Sequence, residues 1–109
     1  MELRQAVFAF TAAGPAFQDL KFRDQIREAT RSATNNIAEG FARFTPREFR
    51  RFLSIARGSL TEAHNQLQIA HECRYLADDE YERLSLLAAR AATATTRLMR
   101  YLDSGHGTA

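Results

Sequence analysis

From Phe22 to Leu102 apolar residues return every three or four positions, and Pro46 is the one proline in that stretch. That period matches the turn of an α-helix and not the two-residue alternation of a strand. A chain patterned this way folds as long helices, each burying one stripe. At 109 residues there is material for one core, so residues 1–109 are expected to form a single all-α domain. Hydrophobic residues at 45% and charged residues at 26% fit a globular chain rather than a disordered one.

Local signals divide the chain into four helices, roughly 2–13, 19–44, 46–73 and 78–103. Gly14-Pro15 stops the first, since glycine takes a left-handed cap and proline cannot continue the ladder. Asp19 is a good cap for the second. Thr45-Pro46-Arg47-Glu48 starts the third: threonine caps, proline sits at the first helical position and glutamate can reach back. Asp78, Asp79 and Glu80 suit the positive end of the fourth. The tail from Ser104 to Ala109 is expected to fray. Short turns make neighbouring long helices antiparallel, giving an up-down four-helix bundle. The first helix is too short to cover the other three along their length. Their doubled apolar edges therefore call for burial against further copies of the chain.

Net charge is only +2, but it is unevenly spread. From Lys21 to Gly58 nine basic residues face four carboxylates, and from Ser59 onward five arginines face seven carboxylates. Arg43, Arg47, Arg50 and Arg51 interleave with Phe41, Phe44, Phe49 and Phe52 around the turn between the second and third helices. Their helical spacing makes the phenylalanines core residues. The four arginines are the candidate polyanion site, because clustering them has no evident folding benefit. Arg23, Arg27 and Arg31, one turn apart, form a second basic face.

Other candidates read as structural. Gly40 and Gly58 lie inside helices, where each costs about 1 kcal/mol relative to alanine, and so mark close approach of two helices. Asn36, Glu39 and Glu62 sit beside apolar seams. They suit a buried network with Ser59 or an arginine better than an acid–base pair without a cavity or nucleophile. His64 and His71 are seven residues apart and miss the three- or four-residue spacing of a helical metal pair. No metal constellation, nucleophile–base pair or phosphate loop is evident, so neither an enzyme nor a cofactor is expected. The lone Cys73 suits a reducing cytoplasm, and neither a signal peptide nor a membrane span is legible.

Asn36-Ile37-Ala38-Glu39-Gly40, Glu48-Phe49, Arg51-Phe52-Leu53, Ile55-Ala56-x-Gly58-Ser59-Leu60-x-Glu62, and Tyr75-Leu76 leading to Tyr81 form a recognisable set. Over roughly Phe22 to Leu102 the chain resembles the four-helix-bundle proteins of the ribosomal-RNA intervening-sequence family. The resemblance implies a four-helix bundle assembled as a homopentameric barrel. It also implies kinship with the accessory variability determinant of diversity-generating retroelements, a basic pentamer that binds nucleic acid and a reverse transcriptase. The chain departs from the family pattern at Thr34, where proline is usual, at Ala77, where Ser or Thr usually caps, and in its short first helix. The expected function is that of a homo-oligomer whose basic end contacts RNA or DNA without reading sequence. The alternative is a protein-interaction scaffold that docks a partner through its apolar edges.

Overall fold

The computed structural model describes residues 1–105, which form five helices: α1 (Glu2–Phe10), α2 (Gly14–Gln18), α3 (Leu20–Phe41), α4 (Pro46–Glu72) and α5 (Asp78–Asp103). No strand occurs among the described residues. The expected fraying beyond Gly105 lies outside them. The three long helices contain 22, 27 and 26 residues and give the chain an extent of 50 × 22 × 17 Å. Between α3 and α4, Gln25 meets Gln66, Ser32 meets Ser59 and Gly40 meets Phe49, so the two are antiparallel. His71 with Asp78 and Arg50 with Asp103 set the same relation between α4 and α5. The short α1 packs on both α3 and α5, opposite α4.

The core follows from one stripe. Leu53, Ala56, Leu60, Ala63, Leu67 and Ala70 of α4 are all buried, at alternating spacings of three and four. Each leucine fills the space between neighbouring helices while each alanine lets a neighbour approach. Phe22, Ile26, Ala29 and Ala33 of α3 and Leu84, Ala88 and Met99 of α5 are buried with it. Full burial contributes about 1.5–3 kcal/mol per large apolar side chain, against the entropy of ordering the helices.

The ends of the helices are set locally. Asp19 accepts the Phe22 amide at 3.2 Å with one carboxylate oxygen, and the Tyr75 hydroxyl donates to the other at 2.8 Å. One side chain therefore caps α3 and ties it to the α4–α5 turn. That hydrogen bond to a carboxylate raises the pKa of Tyr75. Thr45 accepts the Glu48 amide at 3.2 Å, as its sequence promised. Ala77 makes no side-chain cap, and α5 starts instead on the backbone beside buried Leu76. Thr34 bonds back to the Thr30 carbonyl, and α3 runs unbroken through it.

Several expectations are corrected. α1 stops at Phe10, well short of residue 13: buried Thr11 donates to the Val7 carbonyl, and Arg27 donates to the Thr11 hydroxyl at 2.8 Å and carbonyl at 3.2 Å. The cation closes the negative end of α1. Gly14, with φ of +70°, is also the start of a further helix, α2, with Pro15 in its first turn. Arg27 lies over the Phe8 ring at 4.7 Å, so this residue of the Arg23–Arg27–Arg31 face is a fastening between helices.

At the N-terminal end of α1, Met1 meets Thr34 of α3, whose hydroxyl donates to its sulfur. Beyond this contact Ile37, Leu98 and Leu102 are half-buried, although the three-four alternation places them on the seam. Phe41 and Phe44, expected in the core, are exposed. α3 ends at Phe41, so Phe44 stands in the turn where helical spacing no longer governs it. Gly58, expected at a helix contact, is exposed with open space where a Cβ would project. Its period falls on the outer edge of α4. Gly40 is the close approach: a Cβ there would lie 2.8 Å from Cδ1 of Phe49.

These two glycines respond oppositely to substitution. Gly58→Ala is expected to raise chain stability by up to about 1 kcal/mol through helix propensity. Gly40→Leu is expected to lower it by about 1–3 kcal/mol by forcing Phe49 off the helix. Urea denaturation of the two variants beside the parent checks both signs.

Candidate functional site

Antiparallel folding turns the uneven charge of the sequence into an axis. At the end where α3 and α5 finish and α4 begins stand Arg43, Arg47, Arg50, Arg51, Arg97 and Arg100, against Glu39, Glu48 and Asp103. At the other end seven carboxylates (Asp19, Asp24, Glu72, Asp78, Asp79, Glu80, Glu82) face Lys21, Arg23, Arg74 and Arg83. The N-terminus of α4 adds its positive dipole to the basic end, offset by the C-termini of α3 and α5.

The four arginines singled out from the sequence are brought to this one end but differ in their engagements. Arg43 donates to Glu39 at 2.7 Å and lies 4.7 Å from the Phe52 ring. Arg50 is bonded to Asp103, which pins the last turn of α5 to the first turns of α4. That hydrogen bond, reinforced by the carboxylate charge, raises the pKa of Arg50. Arg51 lies over the Phe52 ring at 5.6 Å. Neither Arg51 nor Arg47 has an ion-pair partner among the described residues, and both are exposed. Of these four, the cations able to meet an external anion without breaking an internal pair are therefore Arg47 and Arg51. Arg97 and Arg100, also exposed, were not singled out from the sequence. Their signal was the seven-residue spacing of Arg83, Arg90 and Arg97, which puts a basic edge along α5.

Between the arginines lies the aromatic part of the site. Phe41 packs on Phe49 with ring centroids 4.7 Å apart, yet is 66% exposed. The Phe44 side chain, at 101%, is as open to solvent as in an extended peptide.

The remaining motif residues occupy the α3–α4 face. Asn36 donates to the Ser32 carbonyl at 2.8 Å and to its hydroxyl at 3.3 Å, and the Ser32 and Ser59 hydroxyls are 2.8 Å apart. Gln66, 6% exposed, donates to Gln25 and to Glu62. These bonds form two polar rungs beside a groove of about 440 Å³ lined by Ala29, Glu28, Ser59 and Glu62 among others. The expected buried network is corrected in part. Glu39 and Glu62 are exposed, Glu39 pairs with Arg43, and Glu62 accepts from Gln66 at the edge of a set otherwise made of amides and hydroxyls. His64 and His71 do not converge: His71 is 2.7 Å from Asp78 and stacks on Tyr81 at 4.3 Å. Among the described residues no group of His, Cys, Asp and Glu is arranged to hold a metal ion. No helix among them is long and apolar enough to cross a membrane.

The profile of the 23S rRNA-intervening sequence protein family matches residues 1–96. The chain belongs to that family. Its matched span takes in all of α1 to α4 and most of α5, including Asn36, Glu39, Gly40, Gly58, Ser59 and Glu62. No curated protein matches the sequence. The family description names an origin in intervening sequences of 23S rRNA and states no activity.

The different engagements of the arginines predict different responses to charge reversal. Arg50→Glu would set a carboxylate against Asp103 and is expected to lower the thermal midpoint with partial loss of helicity. Arg47→Glu is expected to leave both unchanged, since an exposed unpaired residue carries little stability. Circular dichroism melts of the two variants distinguish them.

Proposed function

We propose that this intervening-sequence protein is a non-enzymatic cytoplasmic homo-oligomer, a pentamer of four-helix bundles, that binds nucleic acid through the basic end of each bundle. The observation that carries the reading is the meeting of six arginines from α4, α5 and the α3–α4 turn at one end, of which only Arg43 and Arg50 are ion-paired among the described residues. Ion pairing accounts for Arg43 and Arg50 but leaves the others without an ion-pair partner among the described residues. A phosphate backbone supplies the missing charge, and each phosphate neutralised releases counterions. Such contacts carry no sequence information, in keeping with a site made of mobile guanidinium groups rather than a helix fitted to a groove. Assembly adds to this weak patch, since several copies engaging one strand gain avidity that one copy lacks.

Support for assembly is separate. Ile55 and Ile69 on α4 and Leu86 on α5 are exposed along the sides of the array, and Gly58 leaves α4 flat between the two isoleucines. Light scattering at micromolar concentration is expected to give about five times the 12.3 kDa chain mass. A monomer overturns the assembly and favours the second reading. In that reading the same apolar edges dock a different protein, such as a reverse transcriptase, as in the related retroelement determinant.

Binding is tested by fluorescence anisotropy with labelled RNA and DNA oligonucleotides of unrelated sequence. Affinity is expected to be similar among sequences and to fall with salt, with a log–log slope of about 0.7–0.9 per phosphate contacted. Arg47→Glu combined with Arg51→Glu is expected to remove binding while helicity and oligomer mass stay unchanged. Undiminished binding by that double variant overturns the assignment of the site.

A further inference from the structure

The basic end carries more than charge. Phe44 lies in the four-residue stretch Ala42-Arg43-Phe44-Thr45 between α3 and α4, and its ring meets water on both faces. Exposing a phenylalanine completely forgoes about 1.5–3 kcal/mol of burial, and nothing in the turn requires an aromatic residue. The backbone of α4 is started by Thr45 and Pro46, which would do so whatever preceded them. Phe41, the nearest aromatic residue in sequence, offers a second exposed ring held in place by Phe49.

Resting on the nucleic-acid reading above, we propose that Phe44, with Phe41 beside it in sequence, is a stacking platform for unpaired bases, so that the ligand class is single-stranded nucleic acid. Charge complementarity selects the occupant. Exposed rings interleaved with Arg43 and Arg47 lack the packed, desolvated pocket of a protein hot spot. A nucleotide, by contrast, presents a flat π-face and a phosphate within one residue's reach, matching a ring next to guanidinium groups. Duplexes hide their base faces by stacking, so a ring protruding from a helical turn reaches them only in unpaired segments. Stacking on a phenyl ring does not distinguish one base from another, which leaves the site indifferent to sequence but sensitive to strandedness.

The consequence is opposite to that of a purely electrostatic site, which prefers the denser charge of a duplex. Three 20-nucleotide probes separate the cases in the full-length protein at low salt: a polythymidine strand, a duplex of equal length, and an abasic deoxyribose-phosphate strand. The single strand is expected to bind more tightly than either of the others. Phe44→Ala is expected to weaken the single strand roughly 5- to 150-fold and the other two hardly at all, the range given by losing one base–aromatic stack. Because the native chain has no tryptophan, Phe44→Trp makes a single reporter at the site. Its emission should be quenched by polythymidine and unaffected by the abasic strand.

Equal binding of polythymidine and abasic strands, or an unchanged affinity in Phe44→Ala, overturns the stacking proposal while leaving the basic-end reading intact. Failure of the parent protein to bind any of the three probes removes the basic-end reading and the stacking proposal together. A drop in oligomer mass on Phe44→Ala also overturns the stacking proposal, because it assigns the ring to a second copy of the chain.

Discussion

The Leu–Ala alternation along α4 is the contact on which the rest of the fold is arranged. Six buried residues lie on one stripe of α4, the helix that packs on both α3 and α5. Because the stripe repeats every seven residues, it stays in register along the full helix, and antiparallel neighbours are held side by side from turn to turn. A small residue after each large one sets the helices close enough that dispersion contacts are not lost to voids.

What α4 cannot cover falls to α1, and its length decides the character of the two ends. Nine residues reach from the start of α3 to about Thr34, with Arg27 fastening Thr11 at one limit. Over that span the interior is closed. Beyond it Ile37, Leu98 and Leu102 stay half-buried. The open part coincides with the arginine-rich end.

The division of labour among the arginines follows from where each finds an acceptor. Arg27 meets the unsatisfied carbonyls of a helix terminus, Arg50 meets the last carboxylate of α5, and Arg43 meets Glu39 one turn back. These are structural uses at surfaces or part-buried seams. Arg47 and Arg51 face directions in which the fold supplies no acceptor. Sequence clustering cannot make that distinction, because four arginines within nine residues look alike until the partners from α3 and α5 are in place.

The sequence alone determined what depends on neighbours three or four residues away: the helical state of the chain, the Thr45 cap with Pro46, the Asp19 cap, and the α4 stripe. Such information is local, carried by backbone hydrogen bonds and by side chains on the same turn. It faltered where a residue's environment comes from another helix. Gly40 and Gly58 have the same helical setting in the sequence, yet one meets Phe49 and the other meets nothing. Phe44 keeps an apolar period that ceases to apply once α3 has ended, and Arg97 and Arg100 join Arg47 only because α5 returns antiparallel to α4. Tertiary structure decided which end of the array is basic and which aromatic rings remain uncovered, since both depend on how far each helix extends beside its neighbours.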